Sequence, residues 1–262
     1  MITVSSAELN VWIAALIWPL TRILGLLAVA PLFGNLNVPM RIKVGLGIML
    51  SLIIAPTVPE LPALDPLSLA GLLILAQQLV IGLALGFAMR IVFAAVEFAG
   101  EVAGLTMGFG FASFFDPNTH GRSSAINQFL SLLAILLFLA LNVHLMMLST
   151  LAETFQILPI SSAPFFGGGF QQLASWGGRI FSAGLQLALP VIAALLITNV
   201  ALGILTRAAP QLNLFAIGFP ITLGVGLIVI ALSLPYIATP MANFFQEGIN
   251  MMGRIAAVAG GR

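Results

Sequence analysis

Six stretches of this sequence run for more than 20 residues with hardly a charge among them: Val11–Phe33, Leu67–Met89, Ile91–Ala112, Ala125–Leu151, Ile180–Thr206 and Leu212–Thr239. A hydrocarbon core about 30 Å thick is crossed by roughly 20 residues of α-helix, so each run is long enough to span a bilayer. Ile42–Val58 is a marginal seventh. The runs are continuous and lack the alternation of apolar and polar residues that marks a membrane barrel strand, which selects helix. The expectation is an all-α, polytopic membrane-type protein.

Charge supports the same class. Nine Lys and Arg and eight Asp and Glu make 6 % of 262 residues, against about a quarter in a soluble domain. That is too few to build a polar shell, so most of the exterior has to face lipid or other protein. A net charge of +1 generates no field for nucleic acid, and no Lys/Arg run marks an anionic-lipid patch. Without cysteine there is no disulfide, thiol nucleophile or Cys-type metal site.

Pro and Asn interrupt the runs at Asn35–Pro39 and Pro56–Pro62, Phe114–Arg122 is the most polar stretch, and Pro164–Gly169 is a glycine-rich break; all read as connectors. No repeat or hinge to a soluble domain is visible, so residues 1–262 read as one membrane-type domain. The first basic residue is Arg22, so Val11–Phe33 reads as a retained helix rather than a cleaved signal. Arg41 and Lys43 follow the first run, Glu60 and Asp65 the second; the positive-inside rule then puts the first connector in the cytoplasm and the N-terminus outside. The stretch from Leu67 to Gly110 reads either as a tight hairpin or as one long bent helix.

The informative residues are polar ones in apolar surroundings. Arg22 lies inside the first run, where a basic side chain costs about 2.5–3.5 kcal/mol at a helix centre on insertion scales. It either bonds a neighbouring helix's carbonyls or contacts another subunit. Arg90, Glu97 and Glu101 are spaced to share one helical face, continued by Gly104 and Gly108. Gly100, Gly104 and Gly108 repeat the small-residue spacing that lets membrane helices approach closely, as do Gly82 and Gly86. This stripe reads as facing protein or a channel rather than lipid. Its carboxylates serve either as structural hydrogen-bonding groups or as a proton relay. His144, beside Asn142, reads as a packing group, and His120 has only Asp116 nearby, so no metal site is expected. No Gly-x-Ser-x-Gly elbow, phosphate loop or His-Glu-x-x-His pair occurs, so nothing assembles a nucleophile with a base.

Four ordered blocks carry a family resemblance: Arg22–Gly34 with Val38–Arg41; Ala99–Glu101 through Met107–Pro117; Ser124–His144; and Leu189–Val191 with Leu202–Asn213 and Gly218–Pro220. They span nearly the whole chain, and together they resemble the FliR family, the R subunit of the flagellar type III protein-export gate, more than its virulence-system relatives. The resemblance implies a non-enzymatic, cofactor-free subunit in the bacterial inner membrane at the flagellar basal body. There helical hairpins would assemble with FliP and FliQ into a helical gate, with FlhB and FlhA in association. Unfolded flagellar proteins would pass through it. It also implies that helices can be steeply inclined and buried by sister subunits, so apolar runs need not equal membrane crossings.

The family's pore-plugging loop maps onto Met107–Gly121, that is Met107, Gly108, Phe109, Gly110, Phe111, Phe114, Phe115, Asp116 and Pro117 with the residues that follow. Bulky Met and Phe side chains exclude water and ions while glycines let the backbone bend; the same residues also suit an ordinary connector with aromatics in an interface. Arg22, Arg90, Glu97, Glu101, His144 and Arg207 are the expected intramembrane polar or subunit-contact positions. The alternative from another class is a secondary transporter of a small solute. In that reading Arg90, Glu97 and Glu101 form its coupling site and Pro190 and Pro220 break its helices.

Overall fold

The computed structural model describes residues 6–35, 37–59, 61–62, 64–111, 124–163, 167–209 and 214–261, with backbone alone at 6–11, 111 and 214–216. Among them the chain forms eight α-helices, two single-turn 3-10 segments and no strand. The helices are α1 (Ser6–Val29), α2 (Met40–Ile54), α3 (Leu69–Met107), α4 (Ala125–Ala140), α5 (Val143–Ile157), α6 (Gly168–Trp176), α7 (Arg179–Ala208) and α8 (Leu214–Ala259). Five helical stretches are long and apolar enough to cross a membrane, or six when α4 and α5 count as one broken span.

Of the two readings of Leu67–Gly110, the structure takes the single long helix: Leu67–Met89 and Ile91–Ala112 join in α3, 39 residues long. Arg90 interrupts the hydropathy but is a good helix former, and no Pro or Gly turn stands beside it to end the helix. At 1.5 Å per residue α3 is about 58 Å long, roughly twice the hydrocarbon thickness. Conversely, the single run Ala125–Leu151 is cut at Leu141 and Asn142, where Asn142 takes a left-handed φ of 56°. A short polar side chain tolerates that conformation and ends the intrahelical ladder. Finally, Pro190 lies inside α7 and Pro220, Pro235 and Pro240 inside α8. The apolar runs Ile180–Thr206 and Leu212–Thr239 thus continue as helix through their prolines, and the broken helices that the transporter alternative places at Pro190 and Pro220 are absent. In apolar packing the helix on either side of a proline has no better partner for its remaining carbonyls and amides than itself.

The residues group into two compact units. The first gathers α1, α2, α3 up to Ile91, α5, α6 and α8 from Phe245. Its core is filled by Trp18, Ile23, Leu26, Leu85, Met89 and Phe155, all fully buried. α1 lies directly on the backbone of α3: a side chain on Gly82 would strike the carbonyl oxygen of Arg22, and one on Gly25 would come within 2.7 Å of the carbonyl oxygen of Leu79. Such proximity is what the Gly82/Gly86 spacing provides, and Gly25 is its partner on the facing helix. α2 is tied to α1 by the buried Ser51 hydroxyl, which donates to the Leu16 carbonyl at 3.1 Å.

The second unit gathers α3 from Val92, α4, α7 and α8 up to Phe244. Edge-to-face ring pairs lock it, Phe93 with Phe138 at 5.5 Å and Phe98 with Phe181 at 5.3 Å. α4 starts at a capping serine: Ser124 Oγ accepts from the amide of Asn127 at 3.2 Å. That start rests on the small stripe of α3, with Gly100 against the Asn127 backbone and Gly104 against the Ser124 side chain.

Candidate functional site

Arg22 is the one charged side chain in the apolar run of α1, and it is fully buried. Its Nε donates to Gln78 Oε1 at 2.8 Å, Nη1 to the Thr154 carbonyl at 3.0 Å and hydroxyl at 3.3 Å, and Nη2 to the Leu158 carbonyl at 2.9 Å. The guanidinium also stands 4.2 Å from the centroid of the Phe155 ring. The planar fork thus makes four hydrogen bonds, all to neutral acceptors of the first unit. Thr154 and Leu158 belong to the last turn and cap of α5, where the Thr154 carbonyl also accepts the Leu158 amide at 2.9 Å, and this negative end of the helix dipole carries about half a negative charge. Arg22 is therefore a C-cap supplied by another helix. Gln78 and Thr154 are partners that sequence reasoning did not name; the signal available was a glutamine inside an apolar run.

On α3, Glu97 and Glu101 are half-buried and Arg90 is exposed. Glu101 Oε2 accepts from Asn127 Nδ2 at 3.4 Å, and Asn127 Oδ1 accepts from Ser131 Oγ at 3.1 Å. The carboxylate thereby starts a polar ladder along α4, beside the glycines that bring the two helices together. His144 is half-buried on α5 and Arg207 is exposed in the last turn of α7. Among the described residues, no three His, Asp or Glu side chains are placed to hold a metal ion.

The third feature is the end of α3. Met107 is its last residue and is fully buried. Gly108 follows with φ 98°, a conformation that glycine adopts without penalty, and its amide bonds the Leu105 carbonyl at 3.1 Å. A 3-10 turn over Phe109–Phe111 comes next, with Phe109 and Gly110 half-buried. The side chain of Phe111, and all of Phe114, Phe115, Asp116 and Pro117, lie outside the described residues. On α8, Thr222 Oγ1 donates to the Met107 carbonyl at 3.2 Å. Thr222 had no distinguishing pattern in the sequence.

Burial is uneven along the helices. In the apolar 18-residue core of α3, 67 % of residues are buried, against 17 % in Met40–Thr57, 17 % in that of Gly168–Ala208 and 22 % in that of Ile217–Ala259. α7 alone exposes Phe181, Leu189, Leu196, Ile197, Val200 and Ile204. An apolar exterior of this extent belongs in lipid or against other protein. Apolar helices longer than a bilayer is thick, an arginine held in their interior by carbonyls, and an apolar exterior define the class: a multi-span helical membrane protein.

The particular family follows from comparison with known proteins. The family described as bacterial export proteins, family 1, matches residues 13–248. The flagellar biosynthetic protein FliR of Pectobacterium carotovorum subsp. carotovorum is 44 % identical over 255 residues, covering 97 % of each chain. That of Escherichia coli (strain K12) is 43 % identical over 257 residues, again 97 % of each, and that of Bacillus subtilis (strain 168) is 32 % identical over 244 residues, 91 % of this chain and 93 % of the relative. The chain belongs to the FliR family, and is a membrane component of the flagellar type III export apparatus with a role in transport rather than catalysis.

Proposed function

We propose that the chain is the R subunit of the export gate in the bacterial inner membrane, at the base of the flagellum. It joins FliP and FliQ subunits in one helical complex, with FlhB and FlhA associated, and unfolded flagellar proteins pass through the conduit they form. The observation that carries this reading is the end of α3. The longest well-buried helix stops at Met107, turns at a left-handed Gly108 and leads straight into Phe109-Gly110-Phe111. A rigid stem followed by a glycine turn and large apolar side chains is the arrangement a closable seal needs, with Met107–Gly121 as the plug. The sparsely buried α2, α7 and α8 supply the surface that sister subunits and lipid would cover.

Replacing Phe109, Phe111 and Phe114 together by alanine removes the apolar bulk of the proposed seal without touching α3. Assembled complexes carrying the triple variant are expected to pass ions or small molecules at rest. Wild-type tightness in a fully assembled gate would reject the plug assignment.

A further inference from the structure

We propose that Thr222 and Gly226 of α8 form a seat that holds Met107, and with it the base of the plug, in the closed gate, and that Met107 leaves this seat when substrate passes. The inference rests on the plug reading of Met107–Gly121. Thr222 and Gly226 are one helical turn apart and share a face of α8. Both meet Met107. The Thr222 hydroxyl donates to its carbonyl at 3.2 Å. A Cβ on Gly226 would stand 2.5 Å from Met107 Cγ, 2.7 Å from Cε and 2.8 Å from Sδ. The Met107 side chain therefore fills the notch left by the missing side chain at 226.

Seat and turn are adjacent in the chain. The carbonyls of a helix's last turn have no intrahelical donor, and at the end of α3 the Thr222 hydroxyl supplies one to Met107. One residue later Gly108, at φ 98°, redirects the chain. Fixing Met107 fixes the last point of the rigid stem before the flexible turn.

The contact is also built to let go. The Thr222 hydroxyl hydrogen bonds the Phe219 carbonyl of its own helix at 3.0 Å as well, so when Met107 departs no buried donor is left without an acceptor. Methionine is unbranched with three rotatable side-chain bonds, which suits a group that leaves and re-enters a notch. Both residues of the seat lie on α8 within the same compact unit as Met107, so the latch needs no other subunit to form.

The test uses the assembled gate. Gly226→Leu fills the notch and Thr222→Val removes the hydroxyl at nearly constant shape. The wild-type chain has no cysteine, so Met107→Cys with Gly226→Cys places a single possible disulfide within it. The expected results are a several-fold rise in resting small-molecule leakage for Gly226→Leu and a smaller rise for Thr222→Val. In the double-cysteine gate, oxidation stops export of a flagellar substrate and a reductant restores it. The inference is overturned if Gly226→Leu gates assemble and stay as tight as wild type, or if the oxidised double-cysteine gate exports at the wild-type rate. Should Gly226→Leu prevent assembly, the disulfide pair decides alone. The Phe109, Phe111, Phe114 triple alanine variant runs alongside. If it leaks while the seat variants do not, the seat fails and the plug stands; if it is as tight as wild type, the plug reading falls and takes the seat with it.

Discussion

Arg22 and Thr154 are 132 residues apart in sequence, yet Nη1 of the first donates to both the carbonyl and the hydroxyl oxygen of the second, at 3.0 and 3.3 Å. Among the described residues, no carboxylate enters the hydrogen-bond shell of the buried arginine. What balances it is the negative end of α5, with the Leu158 carbonyl and the Gln78 amide oxygen completing the shell. A fixed cation thus pins α1 to α5 and α3 inside the first unit.

Arg22→Leu removes the donor while leaving its acceptors buried, at about 1–3 kcal/mol for each one orphaned. Arg22→Lys keeps the charge but not the planar fork, and one ammonium group cannot reach Gln78, Thr154 and Leu158 together. Thermal denaturation in detergent is expected to rank wild type above lysine above leucine. A leucine variant as stable as wild type would contradict the capping role.

At the α1–α3 crossing the glycines are not interchangeable with those elsewhere. Gly82→Ala drives a methyl group into the Arg22 carbonyl, whereas a methyl group on Gly45 of α2 would meet nothing within 4 Å. Gly82→Ala should therefore lower resistance to limited proteolysis. Gly45→Ala should leave it unchanged or raise it slightly, since alanine is favoured over glycine in a helix by about 1 kcal/mol. Equal behaviour of the two would mean that the close crossing does not form.

Glu101 sits at the α3–α4 contact as the acceptor for Asn127. Glu101→Gln retains an acceptor oxygen and is expected to behave like wild type. Glu101→Leu strands the Asn127 amide group and should weaken the contact by about 0.5–1.5 kcal/mol, the net worth of one hydrogen bond. Membrane fractionation should show normal insertion of both, while co-purification with the other gate subunits falls for leucine alone. Normal co-purification and export of the leucine variant would remove the case for this carboxylate.

The break between α4 and α5 depends on a left-handed backbone at Asn142. Glycine is expected to be neutral there. Alanine keeps the Cβ that crowds the carbonyl but lacks the short polar side chain that lets asparagine adopt this conformation, and should lie below glycine by about 1–2 kcal/mol. The unfolding midpoints of Asn142→Gly and Asn142→Ala should separate accordingly, and coincident midpoints would show that the chain has another way to make the bend.

Much of the architecture was legible because it depends on local quantities. Apolar length and scarcity of charge announce membrane helices wherever they occur, and the Gly82/Gly86 and Gly100/Gly104 spacings announced close approaches that α1 and α4 make. Helix ends were less legible. Arg90 lowers hydropathy without breaking α3, and Asn142 breaks a run that hydropathy carries through. The prolines of α7 and α8 did not obscure the helices, because Ile180–Thr206 and Leu212–Thr239 read as single runs and remain helical through Pro190, Pro220 and Pro235. A residue that ends helices in water is tolerated where no water competes for the backbone.

The order of apolar runs, the arginine that had to find acceptors and the glycines that had to find neighbours were set by the linear chain, because transfer free energy and backbone stereochemistry act residue by residue. Which acceptors, and which neighbours, only the tertiary structure decided. Gln78, Thr154 and Leu158 gather around Arg22, and Thr222 and Gly226 around Met107, through packing between helices far apart in sequence. Such contacts have no local signature: a threonine that bonds its own helix and one that caps another look the same until the second helix arrives.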